Sequence, residues 1–252
     1  RLQELAQFAR FLHAEDPRHE VPQQHLFYRT RPRPAPYIYT PDEIAAMIEA
    51  ARNLRATRLN PLKPDVFEML FGLIAATGLR ISEAVNLQID DLPAGGVLHI
   101  RATKFNKNRL VPLHPSVMAA LDAYLCVREP YGSLTPYLFL SECGRSMPDG
   151  TARIVFRGIL KQTGIGMNRQ RRPRLHDLRH TFATRVLEQC ATKRDDVARD
   201  FIALSTYLGH SHIRHTYWYL EATPALLTRI AAAHEDFHAR HRAAHPARGG
   251  GA

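Results

Sequence analysis

Cysteine is scarce in this sequence. The 252 residues hold three, Cys126, Cys143 and Cys190, scattered and without a CxxC spacing. An odd, unclustered set argues against a disulfide framework and against a cysteine-based zinc site. Long apolar runs are lacking too: no stretch reaches the ~18 residues of a membrane-spanning helix. No secretory signal pattern opens the chain. Acidic residues are outnumbered, with 24 Asp and Glu against 34 Lys and Arg and a formal net charge of +10. A secreted disulfide scaffold and a helical membrane protein are therefore excluded as classes. A cytoplasmic chain without a membrane partner is expected.

Hydrophobic residues make up 45% of the chain, enough for a real core in one large domain or one domain plus a fragment. The basic balance favours a polyanionic partner, nucleic acid first. The chain opens at Arg1, in what reads as the middle of a helix, so a missing N-terminal portion is expected. Leu2, Leu5, Phe8, Ala9 and Leu12 mark that helix. Pro17, Pro22, Pro32, Pro34 and Pro36 then make residues 16–39 a semi-extended linker. Thr40-Pro41-Asp42-Glu43 is a helix start, with Thr40 as cap, Pro41 at the first position and Glu43 closing a capping box. The domain boundary is placed here: 1–39 as the end of an N-terminal domain plus linker, 40–245 as the main domain, and 246–252 as a disordered tail. Within the main domain, helices are expected from about Pro64 to Thr77 with Gly78 as terminator, near Ile81 to Leu87, and from Pro115 to Leu125. Further helical patterns occupy about 149–163, 176–190, 196–208 and 223–243. Val97 to Thr103 and Arg109 to Leu113 flank a Lys-Asn turn and read as a hairpin. The expected fold is mainly α with a small antiparallel β-sheet, an α+β arrangement.

The chemistry gathers in four places. Arg80 follows the end of a helix, with Glu83 three residues on to orient its guanidinium. Lys104 and Lys107 sit on the hairpin turn, where a flexible lysine can protonate a leaving oxygen. His176 and Arg179 share one face at the start of a helix, whose N-terminus adds partial positive charge. The run Arg169, Arg171, Arg172 and Arg174 just upstream reads as a grip on backbone phosphates. Last, His210 follows Gly209 and precedes Tyr219 by nine residues. Two arginines, a lysine, two histidines and a tyrosine form a set that breaks a phosphodiester without metal. The tyrosine attacks phosphorus, and the cations and imidazoles neutralise the crowded charge. Tyr217 and Tyr219 point to different sides of a helix, so one packs while the other reaches the site. The stripe His234, His238, His241 and His245 lacks an acidic or cysteine partner at ligand spacing and reads as a wet helix face or a subunit contact. No metal and no cofactor are expected.

Over roughly 40–225 the sequence resembles the tyrosine recombinase (phage integrase) family. The resemblance rests on Thr77-Gly78-Leu79-Arg80-Ile81-Ser82-Glu83-Ala84, on the hairpin Thr103 to Leu113, on His176-Asp177-Leu178-Arg179-His180-Thr181-Phe182-Ala183-Thr184, and on Leu208-Gly209-His210 through Tyr219. The wording around Leu204 to His210 and Thr216 to Leu220 is similar to recombinases of transposons and other mobile elements. The resemblance implies a DNA recombinase that works through a 3′-phosphotyrosine intermediate without metal or ATP. It implies Arg80 and Arg179 as the phosphate clamp, His210 as a donor to a non-bridging oxygen and Lys104 as general acid. His176 would assist proton transfer, Tyr219 would be the nucleophile and Glu83 would buttress the arginines. Lys107 and Arg109 join Arg169, Arg171, Arg172 and Arg174 as the expected DNA contacts. Double-stranded DNA is the expected partner, in a homotetramer that is a monomer when free, with residues 223–243 as the segment docking on a neighbour. Association with the nucleoid follows. Two rivals share features of this reading: a type IB topoisomerase-like nicking-closing enzyme and a non-catalytic basic DNA-binding module. The sequence departs from the family in an added polar stretch around Thr192 to Asp200 and in lacking most of an N-terminal arm domain.

Overall fold

The computed structural model describes residues 2–22, 35–92, 95–101, 108–131, 135–142, 145–169, 171–189, 194–209 and 235. The chain separates into two compact units, Arg1–Ala35 and Pro36–Ala252. The boundary expected at Thr40 thus falls inside the second unit. The reason is Tyr39, which is buried and donates its backbone N–H to Thr181 Oγ1 at 3.0 Å. In the first unit, α1 (Leu2–Glu15) carries Leu5, Phe8 and Phe11 exposed.

The second unit opens with α2 (Pro41–Arg52). Its start is the capping box read from sequence: Glu43 donates its backbone N–H to Thr40 Oγ1 at 3.1 Å, and Glu43 Oε2 accepts from Thr40 N at 2.9 Å. Each half satisfies a backbone donor that the first helical turn leaves over. Next, α3 (Lys63–Thr77) buries Val66, Phe67, Met69, Leu70, Phe71, Leu73 and Ile74. A helix apolar on nearly every side belongs in the interior, and α3 packs against α2, α5 (Pro115–Arg128) and α7 (His176–Gln189). Gly78 ends α3 in the left-handed region at φ +63°, and a Cβ there would stand 2.5 Å from the Phe182 ring. Glycine is needed twice over, for the turn and for the close approach.

The short α4 (Ile81–Val85) follows directly. Strands β1 (Val97–Ile100) and β2 (Arg109–Pro112) pair antiparallel, with Leu98 opposite Val111 and Ile100 opposite Arg109. Leu98, Ile100 and Val111 face the core. Residues 102–107, between the strands in sequence, lie outside the described residues. After α5 come α6 (Asp149–Thr163), α7 and α8 (Arg194–Tyr207). A second, smaller core of Ala183, Leu187, Phe201, Leu204 and Leu208 joins α7 to α8, and Phe182 stacks on Tyr207 at 5.5 Å between centroids. The fold is mainly helical with one small antiparallel sheet, as the residue patterns imply. No described helix is long and apolar enough to cross a membrane.

Candidate active site

Each arginine of the site is placed by a helix end. Arg80 is the cap residue of α4, and its backbone N–H donates to Glu83 Oε2 at 2.9 Å. The same carboxylate takes the Arg80 side chain, Nη1 to Oε1 at 2.7 Å. The other end of the guanidinium fork, Nη2, donates to Gly209 O at 3.1 Å. One residue before His210, the chain is therefore tied to Arg80. Gly209 itself lies at φ +64°, so the turn after α8 needs a residue without Cβ.

Arg179 comes from the first turn of α7 and is 1% exposed. Its Nη1 donates to Gly78 O at 2.7 Å and its Nη2 to Leu208 O at 2.6 Å. A buried guanidinium must be paired or bonded to persist. Here it joins the end of α3 to the end of α8. The two arginines thus bind consecutive carbonyls, Leu208 and Gly209, of one turn. Three sequence boxes meet at that turn: Arg80 reaches it from 129 residues away and Arg179 from 29.

The start of α7 is fixed in turn by Asp177. Its Oδ2 accepts from Arg174 N at 2.8 Å and its Oδ1 from Arg174 Nη2 at 2.9 Å. His176 sits at this start. Burial pushes its imidazole down to about 4, and the charges of Arg179, Arg174 and Arg80 push the same way, against Asp177. The ring is neutral at pH 7 and can accept a proton. Those three arginines are near enough to disfavour a further positive charge, which is the condition a bound phosphate would relieve. Glu83 behaves oppositely. Burial raises its carboxyl, but Arg109 and Arg80 outweigh burial and hold it down at about 2.

Arg109 is the residue placed differently from expectation. It was expected among the DNA contacts. Instead its Nη1 and Nη2 close on Glu83 Oε1 and Oε2 at 2.9 and 2.7 Å, and its side chain is 11% exposed. Glu83 does buttress two arginines, and the second of them is Arg109. A contact 26 residues away across a hairpin leaves no local signal in the sequence. Tyr207 was also missed. Its phenol is pushed up to about 12 by burial, with the charges of Arg109 and Arg179 pulling the other way. Tyr39 was read as linker, yet it anchors α7: Arg185 Nη2 donates to its carbonyl at 2.9 Å, and its hydroxyl donates to Arg174 O at 3.2 Å.

The basic run is exposed at Arg169, Arg171, Arg172 and Arg174, while Pro173 and Leu175 are buried and hold the loop down. Lys104, Lys107, His210, Tyr217, Trp218 and Tyr219 lie outside the described residues, as do Cys143, Cys190, residues 246–252, the four histidines of the C-terminal stripe and all of 223–243 except residue 235. Among the described residues, no three His, Cys, Asp or Glu side chains group as metal ligands would.

The profile of the phage integrase family matches residues 38–225. The chain belongs to the phage integrase family. The Sinorhizobium fredii protein named integrase/recombinase y4rB is 40% identical over 227 residues, 87% of this chain and 72% of that protein. The tyrosine recombinase XerD of Brucella abortus is 28% identical over 241 residues, 93% of this chain and 74% of that one. The crystal structure of XerA recombinase superposes with a TM-score of 0.64 at 27% identity, covering 81% of this chain and 66% of that chain. The family is that of the tyrosine recombinases, and site-specific DNA recombination is its activity. The topoisomerase-like and non-catalytic readings are not favoured by these likenesses.

Proposed function

We propose that this chain cuts and rejoins double-stranded DNA by reversible transesterification, with Tyr219 as the nucleophile. The Tyr219 oxygen attacks the scissile phosphorus, a 3′-phosphotyrosine bond forms, and the bond to the 5′-oxygen breaks. His176, neutral at pH 7, takes the phenolic proton, and Lys104 gives a proton to the departing 5′-oxygen. Arg80, Arg179 and His210 neutralise the charge that builds on the non-bridging oxygens. The bond energy is kept in the phosphotyrosine, so rejoining needs neither ATP nor metal. The observation that carries this reading is the turn at Leu208-Gly209, where Arg179 and Arg80 bind successive carbonyls immediately before His210.

Arg169, Arg171, Arg172 and Arg174, which are exposed, are assigned with Lys107 to the DNA backbone. Residues 1–35 are assigned to the end of a DNA-binding domain with its linker, and a homotetramer on two duplexes is the proposed working unit. Segment 223–243 would dock on a neighbouring subunit, and the nucleoid is the place of action. The test is covalent trapping on nicked suicide duplexes tiled across the DNA that flanks the coding sequence. The wild-type protein should give a 3′-linked adduct. Tyr219→Phe should bind DNA yet give none, while Tyr217→Phe should keep the adduct. An adduct that survives in Tyr219→Phe overturns the assignment.

A further inference from the structure

Arg109 occupies a position that the reaction scheme above leaves unused. Four hydrogen bonds converge on the Glu83 carboxylate. Oε1 accepts from Arg80 Nη1 at 2.7 Å and from Arg109 Nη1 at 2.9 Å. Oε2 accepts from Arg80 N at 2.9 Å and from Arg109 Nη2 at 2.7 Å. The Glu83 side chain is only 6% exposed, so water screens it little. With Arg80 as its sole partner, the carboxylate would cancel the positive charge meant for the phosphate. The second guanidinium changes the sum: two cations against one anion leave the cluster positive.

Arg109 also lies across the Gly209 turn. A Cβ built on Gly209 would stand 3.1 Å from Arg109 Nη1 and 3.4 Å from its Cδ and Cζ. The Arg109 Nε is buried with no hydrogen-bond partner among the described residues, and both Nη groups are committed to Glu83. This is the geometry of a brace rather than of a side chain reaching for DNA. Arg109 opens β2, the strand that follows the segment containing Lys104. One side chain therefore joins three segments: strand β2, the Arg80–Glu83 segment and the turn at Gly209.

We propose that Arg109 is a positioning residue for strand cleavage: it offsets the charge of Glu83, so that Glu83 fixes Arg80 without neutralising it, and it holds the hairpin base against the Gly209 turn. The proposal rests on the reading of the chain as a tyrosine-nucleophile DNA enzyme. Displacing a reacting group by about an ångström costs on the order of 100-fold in rate, and the loss here is expected at roughly 10- to 100-fold.

The experiment measures single-turnover adduct formation on the nicked duplexes, with DNA affinity and thermal unfolding measured alongside. Arg109→Gln should slow adduct formation while affinity stays near wild type. Arg109→Lys keeps the charge and loses the two-pronged fit, so its rate should fall between the two. The double variant Arg109→Gln/Glu83→Gln should cleave faster than Arg109→Gln alone, because the uncompensated carboxylate is gone. A brace acting only through packing gives no such recovery. If Arg109→Gln does not fold, Arg109→Lys decides: slower cleavage at unchanged affinity supports the proposal, and a wild-type rate overturns it. Equal losses of affinity and rate in Arg109→Gln, or no gain in the double variant, also overturn it. A wild-type chain that forms no adduct sinks the catalytic reading itself. Adduct from the wild type with an unaltered Arg109→Gln rate sinks this inference alone.

Discussion

Arg172 and Arg179 are seven residues apart in sequence and sit in opposite surroundings. Arg172 is exposed on a loop held down by Pro173 and Leu175. Arg179 is 1% exposed, with its fork bonded to Gly78 O and Leu208 O. The same contrast runs through the molecule: Arg169 and Arg171 are exposed like Arg172, Arg80 and Arg109 are nearer to Arg179, and Arg174 stands between, exposed but bonded to Asp177. An exposed guanidinium attracts phosphate through a screened field and holds no fixed geometry. A guanidinium bonded on two sides holds one geometry and acts where water is scarce. The comparison teaches that a net charge of +10 is carried by two kinds of arginine: under the proposed function, one kind gathers DNA and the other reacts with it.

The sharpest way to break this comparison is to delete Arg179. Loss of one donor to a developing negative charge costs about 10²–10³ in rate. Arg179→Ala should therefore lose cleavage by that factor, with a smaller loss of DNA affinity. Its removal also strips a partner from two carbonyls, so a lower melting temperature should accompany it. Single-turnover cleavage beside a binding titration checks this. Parallel losses in both would put Arg179 in the same group as Arg172.

His176 gives the next largest effect. Its folded value, about 4, lies below the ordinary 6.5. The stability that depends on its neutral form is complete above pH 6.5. It is lost as the pH falls from 6.5 through about 4, because the unfolded chain takes up the proton first. Wild-type protein should lose more melting temperature between pH 7 and pH 5 than His176→Gln does. An imidazole titration by NMR in the free protein should show a midpoint near 4. A midpoint at the ordinary value would mean that the surrounding arginines do not act on the ring.

The smallest effect is expected on the loop. Arg172→Ala should weaken DNA binding and reduce the slope of log affinity against log salt by about 1, with cleavage at saturating DNA unchanged. A large fall in the cleavage rate would move Arg172 into the reacting group.

What was legible in the sequence follows the range of each interaction. Thr40-Pro41-Asp42-Glu43 announced α2, and Gly78 announced the end of α3, because caps and left-handed turns are local chemistry. The pair Arg80–Glu83 was legible for the same reason, three residues apart at a helix start. The pairing of the two strands was legible from the β-like runs at Val97 and Arg109, while its register, Leu98 opposite Val111, came from the structure. Arg109 on Glu83, Arg179 on Leu208 O and Tyr39 on Thr181 were not legible. Each partner lies 26 to 142 residues away and is chosen by how the helices pack. Arg109 had been grouped with the expected DNA contacts. A buried acid that already held one arginine had room for a second, and packing decided between them.

The central claim, that the buried arginines serve attack by one tyrosine, is tested most directly by mapping the trapped covalent complex. The adduct is formed on a nicked duplex, digested with protease and nuclease, and sequenced by mass spectrometry. The account predicts the residual nucleotide on Tyr219, joined through its 3′-phosphate. A nucleotide on Tyr217, on another residue, or joined through its 5′-phosphate would contradict it.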